Sequence, residues 1–473
     1  VASKWQLGLN EVLAATGARC AYPGAVNFTG VGTDSRRDLT GQLFVALVGE
    51  RFDAHDFIKS AVDQGAAGLL VHKSTPETDA VAAKIPVIET QDTLSALQSL
   101  ARYWRRKHKF KVVGITGSNG KTSTKEFAKT VIASQFRTHA SEGSFNNHWG
   151  VPMSLLAAPP GTEVVIQEMG MNHSGEITRL CEIAEPDIVV VTMVGRAHIG
   201  ELGSQEAIAG AKEEIYKASP NAVQVFNLDN QWTIPMFERG RKALPRNKVF
   251  SFSGFRPEAD VQMRAERMLD FRLEVTGQIK GVEGRAIVPV IGRHNVVNLM
   301  AASALGLALG IPPKNIWAGL AKCRPAWGRN QLVHLQNGMP VVFDGYNANP
   351  ESMAALIKNL LEMDVAGKKI MVLGEMKELG HESARAHREL GEMVARSGVD
   401  LVWFMGPSMA NFEAGLKAEK FEKSYFVSDT YEEKVARKLA SMLNPTDIAV
   451  VKGSRSMEME KVLQAWNPVD FEV

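Results

Sequence analysis

The 473-residue sequence predicts an α/β protein of several domains. Its length exceeds what one hydrophobic core of ordinary size organises, so about three domains is the natural expectation. Runs rich in β-formers alternate with helical patterns over the middle of the chain and again, independently, over its last third. That alternation is the mark of parallel sheets flanked by helices. Between a buried strand and a helix stands a glycine loop, GSNGKTS (117–123), in the position where open α/β sheets bind ligands.

The elements follow in order. A helical start (Trp5–Thr16) is followed by the buried strand in GQLFVALVG (41–49), a helix around 55–64, and strands in GLLVH (68–72) and PVIET (86–90). A boundary near residue 90 sets off a first domain, 1–90. Apolar residues at helical spacing predict a helix over Thr93–His108, which leads into the strand KVVGIT (111–116). A second domain, 91–322, takes further strands from TEVVIQEM (162–169), DIVVVTMV (187–194) and VQVFNLD (223–229). Its Ala- and Leu-rich helix lies in GRHNVVNLMAASALGLALG (292–310), with a glycine stop, then Pro312-Pro313 and a short helix. CRPAWGR (323–329) reads as a linker that opens a third domain, 323–473. Strands there lie in MPVVFD (339–344), KKIMVLGEM (368–376), DLVWFMG (400–406), SYFVSD (424–429) and DIAVVKG (447–453).

Hydrophobic residues at 45%, charged ones at 22% and a net charge of +2 describe a folded globular chain without the charge excess of a nucleic-acid or membrane-surface binder. The most basic stretch, RYWRRKHKFK (102–111), reads as the solvated end of a helix feeding a strand. Cys20, Cys181 and Cys323 are far apart, with no CxxC pair, which suits a reducing compartment and no zinc site. No run reaches the ~18 apolar residues of a membrane span and no secretory leader is legible. A cytoplasmic protein is expected.

The loop carries the first chemistry. Gly117, Ser118, Asn119 and Gly120 bring backbone N–H groups and a helix N-terminus around an anion; Lys121 is placed to reach phosphates and Thr122 to offer its hydroxyl to Mg²⁺. Ser123 continues the turn. The spacing departs from G-x-x-x-x-G-K-[ST], because Gly114 stands one residue too early and Gly117 too late. Glu168 stands at the carboxyl end of one of the next strands and His198 just after another; both are candidate metal ligands, each also readable as a surface residue. Lys212, on the amphipathic helix 207–219, carries no distinguishing signal of its own. Asn295 and Asn298, one turn apart, suit either recognition of a base edge or capping. YNANP (346–350) is rich in turn formers and reads equally as a loop or a site.

Read together, TGSNGKT (116–122), SFNNHWGVP (144–152), EMGMNHSGEI (168–177), AHIGELGS (197–204), AKEEI (211–215), GRHNVVNLMAA (292–302), GRNQ (328–331), DGYNANPESM (344–353), GEMKELG (374–380) and KGSR (452–455) form an ordered series. The series resembles the Mur ligase family, ATP-dependent enzymes that form amide bonds in peptidoglycan precursor synthesis; the family's own TGTxGKT loop accounts for the unusual spacing. Within it, VGTDSRRDLTGQLFVALVGERFDAHDF (31–57), YNANP and the ELG element are most similar to members that join D-alanyl-D-alanine to UDP-N-acetylmuramoyl-tripeptide. The resemblance implies an N-terminal domain for the UDP end of the substrate, a central P-loop ATPase and a C-terminal Rossmann-like domain, working as a monomer. It implies a reaction through an acyl phosphate.

By position, the resemblance assigns phosphate and Mg²⁺ to Lys121 and Thr122, a pair of Mg²⁺ ions to Glu168 and His198, and a carbamate to Lys212. It gives adenine to Asn295, the γ-phosphate to Arg329 and the ribose to Asp344. Ser35 and Arg36 are matched to the UDP end, and Asn146, Asn147, Tyr346, Asn347 and Asn349 to substrate. The chain departs from the family pattern at Phe343, Glu375, Ser144 and Ala54, which stand where Asp, Asp, Asn and Gly are common. Rival readings are a ligase of a diamino acid, a folylpolyglutamate synthetase, and a nucleotide-dependent switch.

Overall fold

The computed structural model describes residues 5–49, 52–143, 145–197, 199–469 and 471. Its α/β architecture is the one the alternating pattern predicts. A four-stranded parallel sheet runs in the order Val31–Gly32, Leu43–Val45, Gly68–Val71, Val87–Glu89. The anticipated N-terminal helix is shorter, Leu9–Thr16, because Leu7–Gly8 pairs instead as a strand with Asn27–Phe28. The helix expected around 55–64 is split into a 3₁₀ turn, Ala54–Phe57, and an α-helix, Ile58–Asp63.

The helix Thr93–His108 has the predicted ends. Asp92 caps it by accepting from the Leu94 and Ser95 N–H groups, and Leu97, Leu100, Ala101 and Trp104 bury one face. Its basic last turn is tied to neighbouring carboxylates: Arg105 to Asp187 at 3.0 Å, Lys107 to Glu11 at 2.7 Å, and Arg106 to Glu185. Those pairings leave it a helix end, as the sequence suggests.

The central nine-stranded sheet is parallel through its functional half. Lys111–Thr116 lies between Ile188–Val191 and Val164–Glu168, with Val223–Asn227 and Thr138–Ala140 outside them. The carboxyl ends of these strands therefore carry Gly117, Thr192 and Glu168 to one edge, which is what places the site. Helices Lys121–Ile132 and Asn295–Ala308 pack over one face, sharing a core of Val131, Leu299 and Leu305.

Beyond Val223–Asn227 the sheet continues with strands absent from the expected set: Val249–Ser253, then Val261–Leu269, Arg272–Ile279 and Val282–Val288 as an antiparallel meander. Its tight turns place Asp270-Phe271 and Lys280-Gly281 at positive φ in both central positions. Such turns favour Asn-Gly or Asp-Gly, so Asp-Phe leaves little trace in the sequence. The C-terminal sheet has five parallel strands in the order Ser424–Ser428, Leu401–Met405, Lys369–Gly374, Ile448–Lys452, Pro340–Asp344. Gln331–Leu335 and Pro468–Val469 add an antiparallel edge. Among the described residues no helix is long and apolar enough to cross a membrane.

Candidate active site

The glycine loop is shaped by contacts that tolerate no side chain. Gly117 has φ +152° and Gly120 φ +82°; a Cβ on the first would stand 1.9 Å from Thr192 Oγ1, and on the second 2.2 Å from Asn298 Oδ1. Ser118 N donates to the Met193 carbonyl at 2.9 Å, and Thr192 Oγ1 donates to the Asn119 carbonyl at 2.6 Å. These contacts fix the loop at the N-terminus of the 12-residue helix Lys121–Ile132, where the helix dipole favours an anion. Lys121 Nζ rests 2.7 Å from the Gly117 carbonyl, and burial holds its pKa below the usual lysine range.

Glu168 joins two sides of the site. Its Oε2 accepts from Thr122 Oγ1 at 2.9 Å and its Oε1 from Asn146 Nδ2 at 2.8 Å, with the side chain almost wholly buried. Asn147 is exposed, and its Oδ1 accepts from the Gly150 N–H at 2.8 Å, at the start of the helix Gly150–Ala157. A cavity of about 470 Å³ opens beside this pair, lined by Asn146, Asn147, His148, Asn172 and Arg179 among others.

Lys212 is the residue whose surroundings depart furthest from its sequence appearance. It lies on the helix Gln205–Lys217 and is only 1% exposed. Among the described residues its ammonium has no hydrogen-bond or ion-pair partner. Burial, and then the nearby positive charge of Lys121, push its pKa well below the usual lysine range. His198 lies outside the described residues.

A second cavity, of about 350 Å³, lies between the phosphate loop and the C-terminal sheet, with Asn119, Asn298, Arg329, Asn330, Asp344 and Lys452 in its wall. Asn295 sits behind that wall, its amide committed to the Ile291 carbonyl at 2.8 Å and its Oδ1 to Asn298 at 3.0 Å; of the asparagine pair it is Asn298 that faces the cavity. The Arg329 guanidinium lies 4.4 Å over the Tyr346 ring, and its buried Nε has no partner. Asp344 accepts from the Asn330 N–H at 3.2 Å and from the buried Lys452 ammonium, which also donates to the Asn347 carbonyl at 2.8 Å. Asn349 bridges to the phosphate loop, its Nδ2 donating to Asn119 Oδ1 at 2.8 Å while its Oδ1 caps the helix Pro350–Glu362.

Ser35 and Arg36 follow the strand Val31–Gly32 and line neither cavity. The Ser35 carbonyl accepts from Ser60 Oγ at 3.0 Å, and Arg36 holds Asp34 at 2.8 Å, keeping that carboxyl at about 2. The longer Glu375 is accommodated inside the C-terminal fold, accepting from the Ser408 N–H at 3.0 Å and Ser408 Oγ at 2.7 Å. Thr192 was not singled out by sequence, and Lys452 entered only as the first residue of the motif KGSR, with no role given to it. Both stand at carboxyl ends of parallel strands, and that position is the signal that finds them.

Comparison with known proteins gives the same picture. Residues 27–105 match the Mur ligase family catalytic domain, 115–306 the Mur ligase middle domain, and 328–455 the Mur ligase glutamate ligase domain. The chain is 35% identical to the UDP-N-acetylmuramoyl-tripeptide–D-alanyl-D-alanine ligase of Bacillus subtilis, over 92% of each protein. A crystal structure of MurF from Acinetobacter baumannii superposes with a TM-score of 0.86 at 29% identity, covering 98% of both chains. MurF of Thermotoga maritima, solved in complex with ADP, superposes with a TM-score of 0.76 at 27% identity, over 92% of this chain and 96% of that one. With three family domains in order and such identity along nearly its whole length, the chain belongs to the Mur ligase family.

Proposed function

We propose that the chain is an ATP-dependent, ADP-forming ligase that joins D-alanyl-D-alanine to UDP-N-acetylmuramoyl-tripeptide, acting in the cytoplasm as a monomer. The observation that carries this reading is the bridge at Glu168, one buried carboxylate held by Thr122 of the phosphate loop and by Asn146 of the neighbouring cavity. It puts a nucleotide side and an acceptor side within one carboxylate of each other. The names of the B. subtilis relative and of the ADP-bound T. maritima structure support the same substrates and nucleotide. Residues 1–90 then serve the UDP end through Ser35 and Arg36, 91–322 the nucleotide, and 323–473 the closing side with Arg329, Asp344, Tyr346, Asn347 and Asn349.

The tripeptide carboxylate attacks the γ-phosphorus, the bond to the β-phosphate oxygen breaks, and ADP leaves with that electron pair. The amine of D-alanyl-D-alanine then attacks the acyl carbon, inorganic phosphate leaves, and the amine gives up its proton. Lys121 neutralises phosphate charge from the loop, and the Arg329 guanidinium in the wall of the second cavity would bind the transferring group. Asn298, not Asn295, lines the cavity and would meet the base with the Nδ2 hydrogen that it does not give to Asn295 Oδ1. Asp344, paired with Lys452, would accept from ribose hydroxyls.

Thr122, Glu168, His198 and a carbamylated Lys212 would hold two Mg²⁺ ions, which would supply charge neutralisation between two approaching anions. The residues fit that demand. Among the described residues no cluster of three or more His, Cys, Asp and Glu exists, and Mg²⁺ commonly takes one or two carboxylates with substrate phosphates completing its shell. An unpaired, buried lysine held toward its neutral form is the nucleophile that carbamylation needs. The neutral amine adds to CO₂, an N–C bond forms as one C=O electron pair moves to oxygen, one proton is lost, and the amine becomes a carboxylate.

Phosphate release from ATP is expected only when UDP-N-acetylmuramoyl-tripeptide and D-alanyl-D-alanine are both present. Rapid release with either alone, followed by a coupled phosphate assay, would favour a nucleotide-dependent switch instead.

A further inference from the structure

We infer that Lys125 and Gln167 are positioning residues that clamp the main chain on both flanks of Ser144 and thereby set Asn146 on Glu168. The inference rests on the reading that Asn146 meets the UDP-linked substrate.

Lys125 lies one turn beyond Lys121 on the phosphate-binding helix and is fully buried. Its ammonium donates to the Ser141 carbonyl at 2.6 Å and the Gly143 carbonyl at 2.8 Å, with Glu126 Oε1 at 3.1 Å. Gln167 precedes Glu168 on the strand Val164–Glu168 and is fully buried too. Its Nε2 donates to the Phe145 carbonyl at 2.9 Å and to the Glu168 carbonyl at 2.8 Å, while its Oε1 has no partner. Asn146 follows immediately, accepting from the Gly170 N–H at 2.8 Å through its carbonyl and donating to Glu168 through its amide.

Packing alone does not account for either residue. A buried ammonium is costly unless paired, and a buried amide with an orphaned oxygen is costly in the same way. An apolar side chain would fill each space without that cost. What both gain is the same: donors to backbone carbonyls, which steer the path of the chain whatever its side chains are. The contacts close a circuit from the phosphate helix through Lys125 to 141–143, and from Phe145 through Gln167 and Asn146 to Glu168 and back to Thr122. Neither residue lines the two cavities at the site, so each acts through Asn146.

The test is a double-mutant cycle on the full chain with Gln167→Met and Asn146→Ala, reading both Michaelis constants and Tm. Methionine keeps the volume and removes the orphaned acceptor along with the donor, so Tm should fall by no more than the few degrees that two carbonyls without their donor cost. Gln167→Met is expected to raise KM for UDP-N-acetylmuramoyl-tripeptide roughly tenfold, the scale of one to two lost hydrogen bonds, with KM for ATP within about twofold. In the Asn146→Ala background the same change should add less than about twofold, because the two residues act as one unit. Lys125→Met should show the same split in KM along with a lower Tm. Independent, fully additive losses, or an equal rise in KM for ATP, would overturn the clamp. Failure of the unmodified chain to ligate would instead overturn the proposed reaction, so the two failures are separable.

Discussion

Lys212→Ala is expected to lower the ligation rate by a factor on the order of a thousand, a barrier increase of about 4 kcal/mol. Added acetate or another short carboxylate should restore part of it. The reason is the setting of the side chain: a lysine 1% exposed, with no acceptor among the described residues and the Lys121 charge close by. As a cation it gains nothing there and pays desolvation. As a carbamate it becomes an anion beside Lys121 and the proposed Mg²⁺ sites. The cavity left by alanine is the right size for a small carboxylate, which would replace the charge without the covalent link. Phosphate release measured with and without acetate checks this. Unimpaired turnover of the alanine variant would remove Lys212 from the mechanism, and loss without rescue would leave it a structural lysine.

Asp344→Ala should be the most destabilising single change at the site. Asp344 and Lys452 are 6% and 1% exposed, and register as partners on adjacent parallel strands. Removing one member strands a buried charge, which costs about 3–5 kcal/mol. For a folding unit of this size that is a fall in Tm of roughly 6–20 °C. The sign of the pH dependence follows. Burial already lowers the Lys452 pKa, and Asp344 partly raises it again. Without Asp344 the folded value drops further below the unfolded one, near 10.4, so the unfolded chain binds the extra proton. The penalty is absent above that pH, grows as pH falls toward the folded value, and is constant below it. The variant should therefore regain stability relative to the unmodified chain as pH rises from 7 to 10. Adding Lys452→Met should recover most of the Tm while ATP binding stays weak. Calorimetry across pH decides; a Tm within two degrees of the unmodified chain would show that the pair does not hold the sheet together.

Local pattern accounts for much of the architecture. The helix Thr93–His108 and the strand Lys111–Thr116 are observed with the predicted ends, because a capping aspartate, an apolar stripe and a run buried from its second residue on are properties of neighbouring residues. The meander 261–288 was missed for the converse reason. Its turns hold non-glycine residues at positive φ, and its strands are only half buried, so neither turn chemistry nor hydrophobicity announces them.

At the site, the phosphate loop and its Gly-Lys-Thr ending were legible because a strand–glycine–helix junction makes an anion cradle wherever it occurs. Glu168 was legible as a residue at the carboxyl end of a strand. The sequence by itself determined the α/β class, that loop, and through an ordered motif series the kinship with the Mur ligases. Only the tertiary structure decided that Lys212 is buried without a partner, that Asn298 and not Asn295 faces the cavity, that Lys452 holds Asp344, and that Lys125 and Gln167 grip one stretch of chain. Each of these is a matter of which distant groups share a space. Burial and partnership are set by segments tens to hundreds of residues apart, and a helical or strand period carries no record of what packs against it.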